Sequence, residues 1–265
     1  MDRHAPDDLL RLLTLNLWGT NGPVRRRLDH LVAYLAAARP DVVALQEVRR
    51  VDGRRQTDLL AEAAGYDHVH DDRTWGEDAE EEGLGVLSRI PITPLAPTPL
   101  PGHPRDVPRQ LQRVELDLGH GSLLLGNTHL TFHRHTGGVR LEQARRIRDV
   151  ILEEGRSDRP TVLVGDLNTS RRSRAVRLLE APPPYGAGLH DAHAAAHAAA
   201  LRRPAVTFSF TNPFARQFWL LGRRVDHILV SDGLEAVDAA TVLTGSDHPV
   251  VSDHYGVRAV LAPIR

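Results

Sequence analysis

The chain has 265 residues, no cysteine, and 33 basic against 34 acidic side chains, a formal charge of -1. That length suffices for one large domain burying roughly three-quarters of its unfolded surface. The missing cysteine excludes disulfides, thiolate catalysis and cysteine-based zinc sites, and the near-neutral charge removes any global field that would favour nucleic acid or an anionic membrane.

Only oxygen and imidazole ligands are left for a metal. Every basic residue other than His is Arg, which reads as genomic composition bias rather than function. Aromatics are 5% of residues, so the core must rest on Leu, Val, Ile and Ala, a supply that suits a layered α/β arrangement. The start, MDRHAPDDLLRLL, lacks the basic end and apolar run of a secretory signal. No stretch approaches ~18 apolar residues, so a cytoplasmic protein without a membrane span is expected.

Leu9 to Leu17 alternates as a strand and ends at the turn Trp18-Gly19. Pro23 opens a helix with Val24, Leu28, Leu31, Val32 and Leu35 at helical spacing, and Pro40 stops it before the buried-strand run DVVAL. A weaker helix covers Gln56 to Ala64, and a strand covers Gly83 to Ser88. The prolines from Pro91 to Pro108 lack amide donors, so this stretch is expected to be a surface loop. Val114 to Leu118 and Ser122 to Asn127 flank Gly119-His120-Gly121 as a hairpin. Val139 to Glu154 is an amphipathic helix leading into the buried strand TVLVG, which stops at Asp166. A short helix near Ser173 to Leu179 precedes an irregular Pro/Gly/Ala/His section, followed by strands near Val225 to Val230, Val237 to Val242 and Tyr255 to Leu261. With no linker, the pattern predicts one domain over residues 1–265, two sheets packed face to face with helices outside.

Polar clusters end these runs. Asp166 and Asn168 lie two apart after an apolar strand, so persisting strand geometry would aim both to one side, whereas an Asx turn would only cap the next helix. Glu47 ends a buried run, where a carboxylate must be exposed, paired with Arg49 or Arg50, or bound to metal. Asn16 sits in a similar turn. Asp253-His254 precedes a strand and Asp226-His227 begins another; a His taking a proton from water needs its second nitrogen held, and Asp226 could hold that of His254. Ser246-Asp247-His248 repeats the tripeptide, but Pro249 hinders strand pairing there. His129 is a second strand-end imidazole. His193 and His197 share helical spacing without a third ligand motif and read as an Ala-rich exposed helix. No basic, aromatic-interleaved segment offers a platform for single-stranded bases.

The ordered set LNLWG, LQE, EGLGVLSR, NTHL, GDLN, VDHILV and SDHYGV resembles the endonuclease/exonuclease/phosphatase superfamily with its deoxyribonuclease-like fold. The resemblance implies a four-layered α/β/β/α sandwich, two mainly antiparallel sheets face to face, with the site at one edge. It implies that Glu47 and Asn16 hold Mg²⁺ or Mn²⁺ and that Asp253 lies near a second cation position. Asp166 would orient or activate water, and Asn168 would contact phosphate. His254 would be the general base, oriented by Asp226. His129 would contact or protonate a phosphate oxygen, partnered by Glu82 or Glu81, and Arg113 would be a further phosphate contact. NTHL, in place of a Pro-Asn-rich motif, points to the deoxyribonuclease, sphingomyelinase and small-molecule phosphatase branches rather than to AP endonucleases. The expected function is a divalent-metal-dependent phosphoester hydrolase, foremost a phosphodiesterase. A small-molecule phosphomonoesterase and a non-catalytic binding domain are the alternatives. The substrate would be nucleic acid or a phosphorylated small molecule, with Arg105, Arg109, Arg134 and Arg140 on loops suited to a groove or a pocket.

Overall fold

The computed structural model describes residues 9–77, 81–119, 121–154, 159–197, 205–216 and 222–263. The opening residues 1–8, His120 of the expected hairpin turn and residues 198–200 of the Ala-rich stretch lie outside them.

Two strand-helix-strand units form the frame. In the first, β1 (Leu10–Asn16), α1 (Val24–Ala38) and β2 (Val42–Val48) follow the apolar periodicity closely, and α1 ends with Arg39 in the left-handed region before Pro40. A small hairpin, β3 (Arg50–Val51) with β4 (Arg54–Arg55), leads to α2 (Gln56–Ala64), then to β5 (His68–Trp75) and β6 (Glu82–Ser88). After β7 (Ile92–Leu100) and β8 (Arg109–Asp117) comes the second unit, β9 (Ser122–His129), α3 (Gly137–Glu154) and β10 (Thr161–Asp166). The chain closes with α4 (Arg174–Glu180), β11 (Leu189–Asp191), α5 (Ala192–Ala196), β12 (Asp226–Ser231), β13 (Leu234–Val242) and β14 (Gly256–Pro263).

Among the described residues the strands form two six-stranded sheets, ordered β13-β14-β1-β2-β6-β5 and β11-β12-β10-β9-β8-β7. Each has one parallel pair at its centre, β1 with β2 and β10 with β9, and antiparallel neighbours around it. Leu12, Val42, Ala44 and Val86 of the first sheet meet Val114, Leu116, Leu125, Val162, Val164 and Ile228 of the second. Alternate residues of the first sheet, Leu13, Leu15, Val43 and Leu45, bury against Leu28, Leu31, Leu35 and Leu60 of α1 and α2. Leu111, Leu163 and Leu229 do the same against Ala144, Ile147 and Leu179 of α3 and α4. Both faces of each sheet are covered, which gives four layers, and each buried Leu or Val contributes about 1.5–3 kcal/mol of transfer free energy. Among the described residues no helix is long and apolar enough to cross a membrane.

The expected loop from Pro91 to Pro108 is corrected in its first half, where β7 is a strand. It pairs with β8 alone, at the sheet edge, and its register shifts between Leu95 and Thr98, around Pro97. Edge strands and bulges are where a residue without an N–H is tolerated. β5 also escapes the sequence pattern because it is the opposite sheet's edge and largely polar.

A polar belt crosses the apolar interface. Asn127, fully buried, donates through Nδ2 to the carbonyls of Leu45 (3.0 Å) and Gly85 (3.3 Å) and to Gln112 Oε1 (2.9 Å). Its Oδ1 accepts from Gln46 Nε2 at 2.8 Å, and Gln46 also donates to Thr14 Oγ1 at 3.0 Å. The volume-conserving Asn127→Leu orphans several of these groups. It should cost about 1–3 kcal/mol per orphaned group, read as a lower urea midpoint, and an unchanged midpoint would contradict the belt's role.

Candidate active site

β1, β2, β9 and β10 finish, and β12 and β14 start, at one edge of the sandwich. Across the second sheet Asp226, Asp166 and His129 are register partners on three adjacent strands and form a lateral row. β10 and β9 approach so closely here that a Cβ on Gly165, at φ +135°, would lie 1.9 Å from the Thr128 carbonyl oxygen. Only glycine permits that approach. Asp166 Oδ1 accepts from the Asn168 amide at 2.8 Å, an Asx turn that ends the strand. The other oxygen, Oδ2, faces Asn16 Nδ2 (3.2 Å), His129 Nε2 (3.5 Å) and His254 Nε2 (3.7 Å). One carboxylate thus serves both the turn and the cluster.

The first sheet supplies the rest. Asn16 Nδ2 also donates to Glu47 Oε1 at 3.0 Å, while its Oδ1 accepts from the Trp18 amide at 2.9 Å. Glu47 stands in a bulge of β2, where the register with β6 shifts between Leu45 and Val48, and its φ is +53°. The bulge re-aims a side chain at the strand end. His254 precedes β14 and directs Nδ1 at both oxygens of Asp226, 2.9 and 3.2 Å away.

Burial dominates the electrostatics. Burial, reinforced by Glu82, raises the Glu47 carboxyl to about 7. Asp166 and Asp253 are also pushed upward by burial. Burial would lower the His254 imidazole, but Asp226 and then Asp166 outweigh it and hold it well above the usual range. His129 moves the other way, well down, through burial, Arg109 and His254. The two imidazoles beside Asp166 are therefore driven apart in proton affinity, the arrangement that separates acid and base roles.

Ligand atoms of Asp166, Asp226 and His254 lie within 4.8 Å of one another. The carboxylates of Glu47 and Asp253, pushed upward by burial, both interact electrostatically with His254, and oxygen and imidazole donors gathered in this way fit a divalent cation.

Several expected residues stand differently. Strand geometry does not persist to Asn168, whose φ is +50° and whose Nδ2 donates to the Leu130 carbonyl at 2.9 Å. Arg113 pairs with Gly126, out of step with Asn127 and His129, so it projects to the other face of the sheet, where Nη2 donates to the Ala96 carbonyl at 2.7 Å. It is not brought into the cluster. Glu82 accepts from Arg49 (3.0 Å) and Trp75 (3.2 Å), and Glu81 accepts from Arg50 (3.1 Å) and Arg55. Asp247 is exposed and caps its own loop through Thr244, so the earlier Ser-Asp-His copy lies outside the cluster. His193 and His197 stack on each other at 4.4 Å.

Sequence reasoning missed the groups that hold these loops. Buried Arg27 donates to the carbonyls of Leu17 (2.7 Å), Gly19 (3.0 Å), Asn21 (2.8 Å) and Val251 (2.7 Å), which ties the turn after Asn16 to the loop before Asp253. Thr207 Oγ1 accepts from the amides of Val225 (3.0 Å) and Asp226 (3.2 Å), and its carbonyl accepts from the Tyr255 amide at 2.7 Å. Asn212 donates to the Ser252 carbonyl at 2.9 Å. His227 joins Asp191 (3.3 Å) to the Thr169 carbonyl (3.0 Å). Arg27 is one of three successive arginines and Thr207 lies in a segment without periodicity, so neither carries a local signal.

Among solved structures, an endonuclease/exonuclease/phosphatase family protein from Leptotrichia buccalis superposes with a TM-score of 0.75 at 18% identity, over 94% of this chain and 98% of that one. D. rerio TDP2, solved with a single-strand DNA product, gives 0.72 at 19% identity over 96% and 98%. The human Nocturnin catalytic domain, solved with a bound sulfate anion, gives 0.73 at 14% identity over 97% and 94%. These likenesses establish a shared fold. No curated protein matches the sequence. The Endonuclease/Exonuclease/phosphatase family model matches residues 13–254, nearly the whole chain. The chain therefore belongs to the endonuclease/exonuclease/phosphatase family and is a metal-dependent hydrolase of phosphoester bonds.

Proposed function

We propose that this protein is a Mg²⁺- or Mn²⁺-dependent phosphodiesterase in which water attacks phosphorus in line. The observation that carries this reading is the His254 imidazole, bound through Nδ1 to Asp226 at 2.9 Å with Nε2 facing Asp166 at 3.7 Å. Asp226 fixes the ring so that Nε2 is the working nitrogen. Nε2 takes a proton from the water that Asp166 positions. The new P–O bond forms as the opposite ester bond breaks. His129, kept neutral by its surroundings, donates its ring N–H to a non-bridging oxygen as charge builds there. Glu47 and Asp253 would hold the cation, Asn16 ties Glu47 to Asp166, and Asn168 supports the turn that aims Asp166. When bound, the cation supplies positive charge that polarises a phosphoryl oxygen and offsets the carboxylate field on His254. The fold neighbours solved with a single-strand DNA product and with a sulfate anion support a phosphoester substrate.

His254→Ala and Asp166→Ala should stay folded yet lose about 10²–10⁴ in kcat on bis-p-nitrophenyl phosphate, and EDTA should abolish turnover in the wild type. Near-wild-type rates in either variant would remove that residue from the mechanism. Faster hydrolysis of p-nitrophenyl phosphate than of the diester would make the enzyme a monoesterase.

The raised Glu47 pKa yields a linkage prediction. Between the ordinary carboxylate range and about 7, folded metal-free protein keeps a proton that the unfolded chain has released. Stability from this group is therefore lost as pH rises through that window. The Tm of metal-free protein should fall from about pH 5 to about pH 8, and Mg²⁺ should offset the fall. Glu47→Gln should flatten the pH slope and weaken the Mg²⁺ response; a Tm profile identical to wild type would count against Glu47 as a ligand.

A further inference from the structure

Arg27 closes a run of three arginines and differs from the other two in burial: it is 2% exposed, whereas Arg25 and Arg26 face solvent. A buried guanidinium is costly unless its donors are met. Here all five N–H groups are met by backbone carbonyls. Nη1 donates to Leu17 and Val251, Nη2 to Gly19 and Asn21, and Nε to Asn21 again, over 2.7–3.1 Å. No donor is left for a phosphate, so Arg27 is not a substrate contact.

The carbonyls belong to two loops. The first is the turn after β1, where Trp18 and Gly19 are both left-handed, at φ +58° and +49°. For a bulky residue such as Trp that backbone is strained, and it persists only where its surroundings enforce it. Arg27 holds the carbonyls on either side of Trp18, and its guanidinium lies 5.3 Å from the centroid of the Trp18 ring. Gln56 Nε2 adds a second bond to the Gly19 carbonyl at 2.9 Å. The turn so held delivers the Trp18 amide to Asn16 Oδ1 and leaves Asn16 Nδ2 for Glu47 and Asp166. The second loop precedes β14. Val251 is followed by Ser252, whose Oγ donates to Asp253 Oδ1 at 3.3 Å and accepts from the His254 amide at 3.1 Å.

The charge of Arg27 does not account for its place. It lies close enough to Asp253 and Glu47 for both carboxylates to favour it, and by the same proximity it would repel a divalent cation bound to either. By charge alone, Arg27 weakens a cation site. Resting on the reading of Glu47 and Asp253 as metal ligands, we propose that Arg27 is a positioning residue for the cation: it clamps the Asn16 turn to the Asp253 loop, and the gain in ligand geometry outweighs the repulsion.

Geometry and charge act with opposite signs, so two variants separate them. Metal-free protein is titrated with Mn²⁺ well below each variant's Tm, and free Mn²⁺ is read by electron paramagnetic resonance, without turnover. Arg27→Met removes clamp and charge together. Arg27→Lys keeps the charge, but one ammonium cannot span the carbonyls that a planar fork reaches. Both variants should bind Mn²⁺ about tenfold or more weakly, the usual scale for losing an outer partner of a metal ligand. Arg26→Met, an exposed neighbour on α1, should bind as the wild type does. Gln56→Leu cuts the second bond to Gly19 and leaves Arg27 in place, so it should weaken binding by less. It carries the test if neither Arg27 variant folds, and wild-type affinity in it would then overturn the proposal. Tighter binding by Arg27→Met beside unchanged binding by Arg27→Lys would show that charge governs. Unchanged affinity in both, with only Tm lowered, would make Arg27 a part of the fold alone. Either result overturns the proposal while the metal site stands, whereas a wild type that binds no Mn²⁺ would sink the metal reading as well.

Discussion

The buried carboxamide of Asn127 holds the two sheets in one register, and the active edge exists only in that register. Its donors reach β2, β6 and β8 from β9, and its oxygen accepts a hydrogen bond from Gln46 on β2. Leucine and valine packing alone is non-directional and tolerates small slips; hydrogen bonds with defined geometry do not. That matters because the cluster is split between sheets. Asn16, Glu47 and His254 arrive on one, and His129, Asp166 and Asp226 on the other. The separations of 2.9–3.7 Å that join His254 to Asp226 and Asp166 leave no room for a sliding interface.

A second constraint is charge. Several carboxylates are buried at one edge, where each is costly unless compensated. The protein compensates incompletely with His254 and with Arg27, whose own affinity for its proton is lowered by burial to about 10 even though Asp253 and Glu47 favour the charge. The residual negative field is what a divalent cation would complete. Arg27 also shows how position and charge are coupled, since the carbonyls it gathers belong to the turns that aim Asn16 and Asp253. The loops and the field are set by one side chain.

Much of this was legible in the sequence because it rests on periodicity. The apolar spacing in α1 and α3 and the runs ending at Asn16, Glu47 and Asp166 located both strand-helix-strand units and the edge where polar residues collect. The failures have physical reasons. The sequence of β7 reads as a loop because missing amide donors count against a central strand, whereas an edge strand has donors to spare. Of the two arrangements open to Asp166 and Asn168, the structure takes the Asx turn, which ends the strand before Asn168 can share a side with Asp166. Arg113 fell on the wrong face by one position of the period-two alternation. Thr207 and Asn212 lie in a stretch with no period, and their placement depends on contacts with the starts of β12 and of the segment leading into β14 that sequence spacing does not encode. The left-handed backbone at Glu47 has no sequence mark, because glutamate does not favour it.

The prolines of β7 have an effect beyond the fold of one molecule. An exposed sheet margin ordinarily offers a ladder of N–H and C=O groups that a foreign extended segment can copy. Here Pro94, Pro97 and Pro99 interrupt that ladder within nine residues. Along this flank the molecule is a poor template for growth into swapped assemblies or fibrils, protected by gaps in its own hydrogen-bonding capacity.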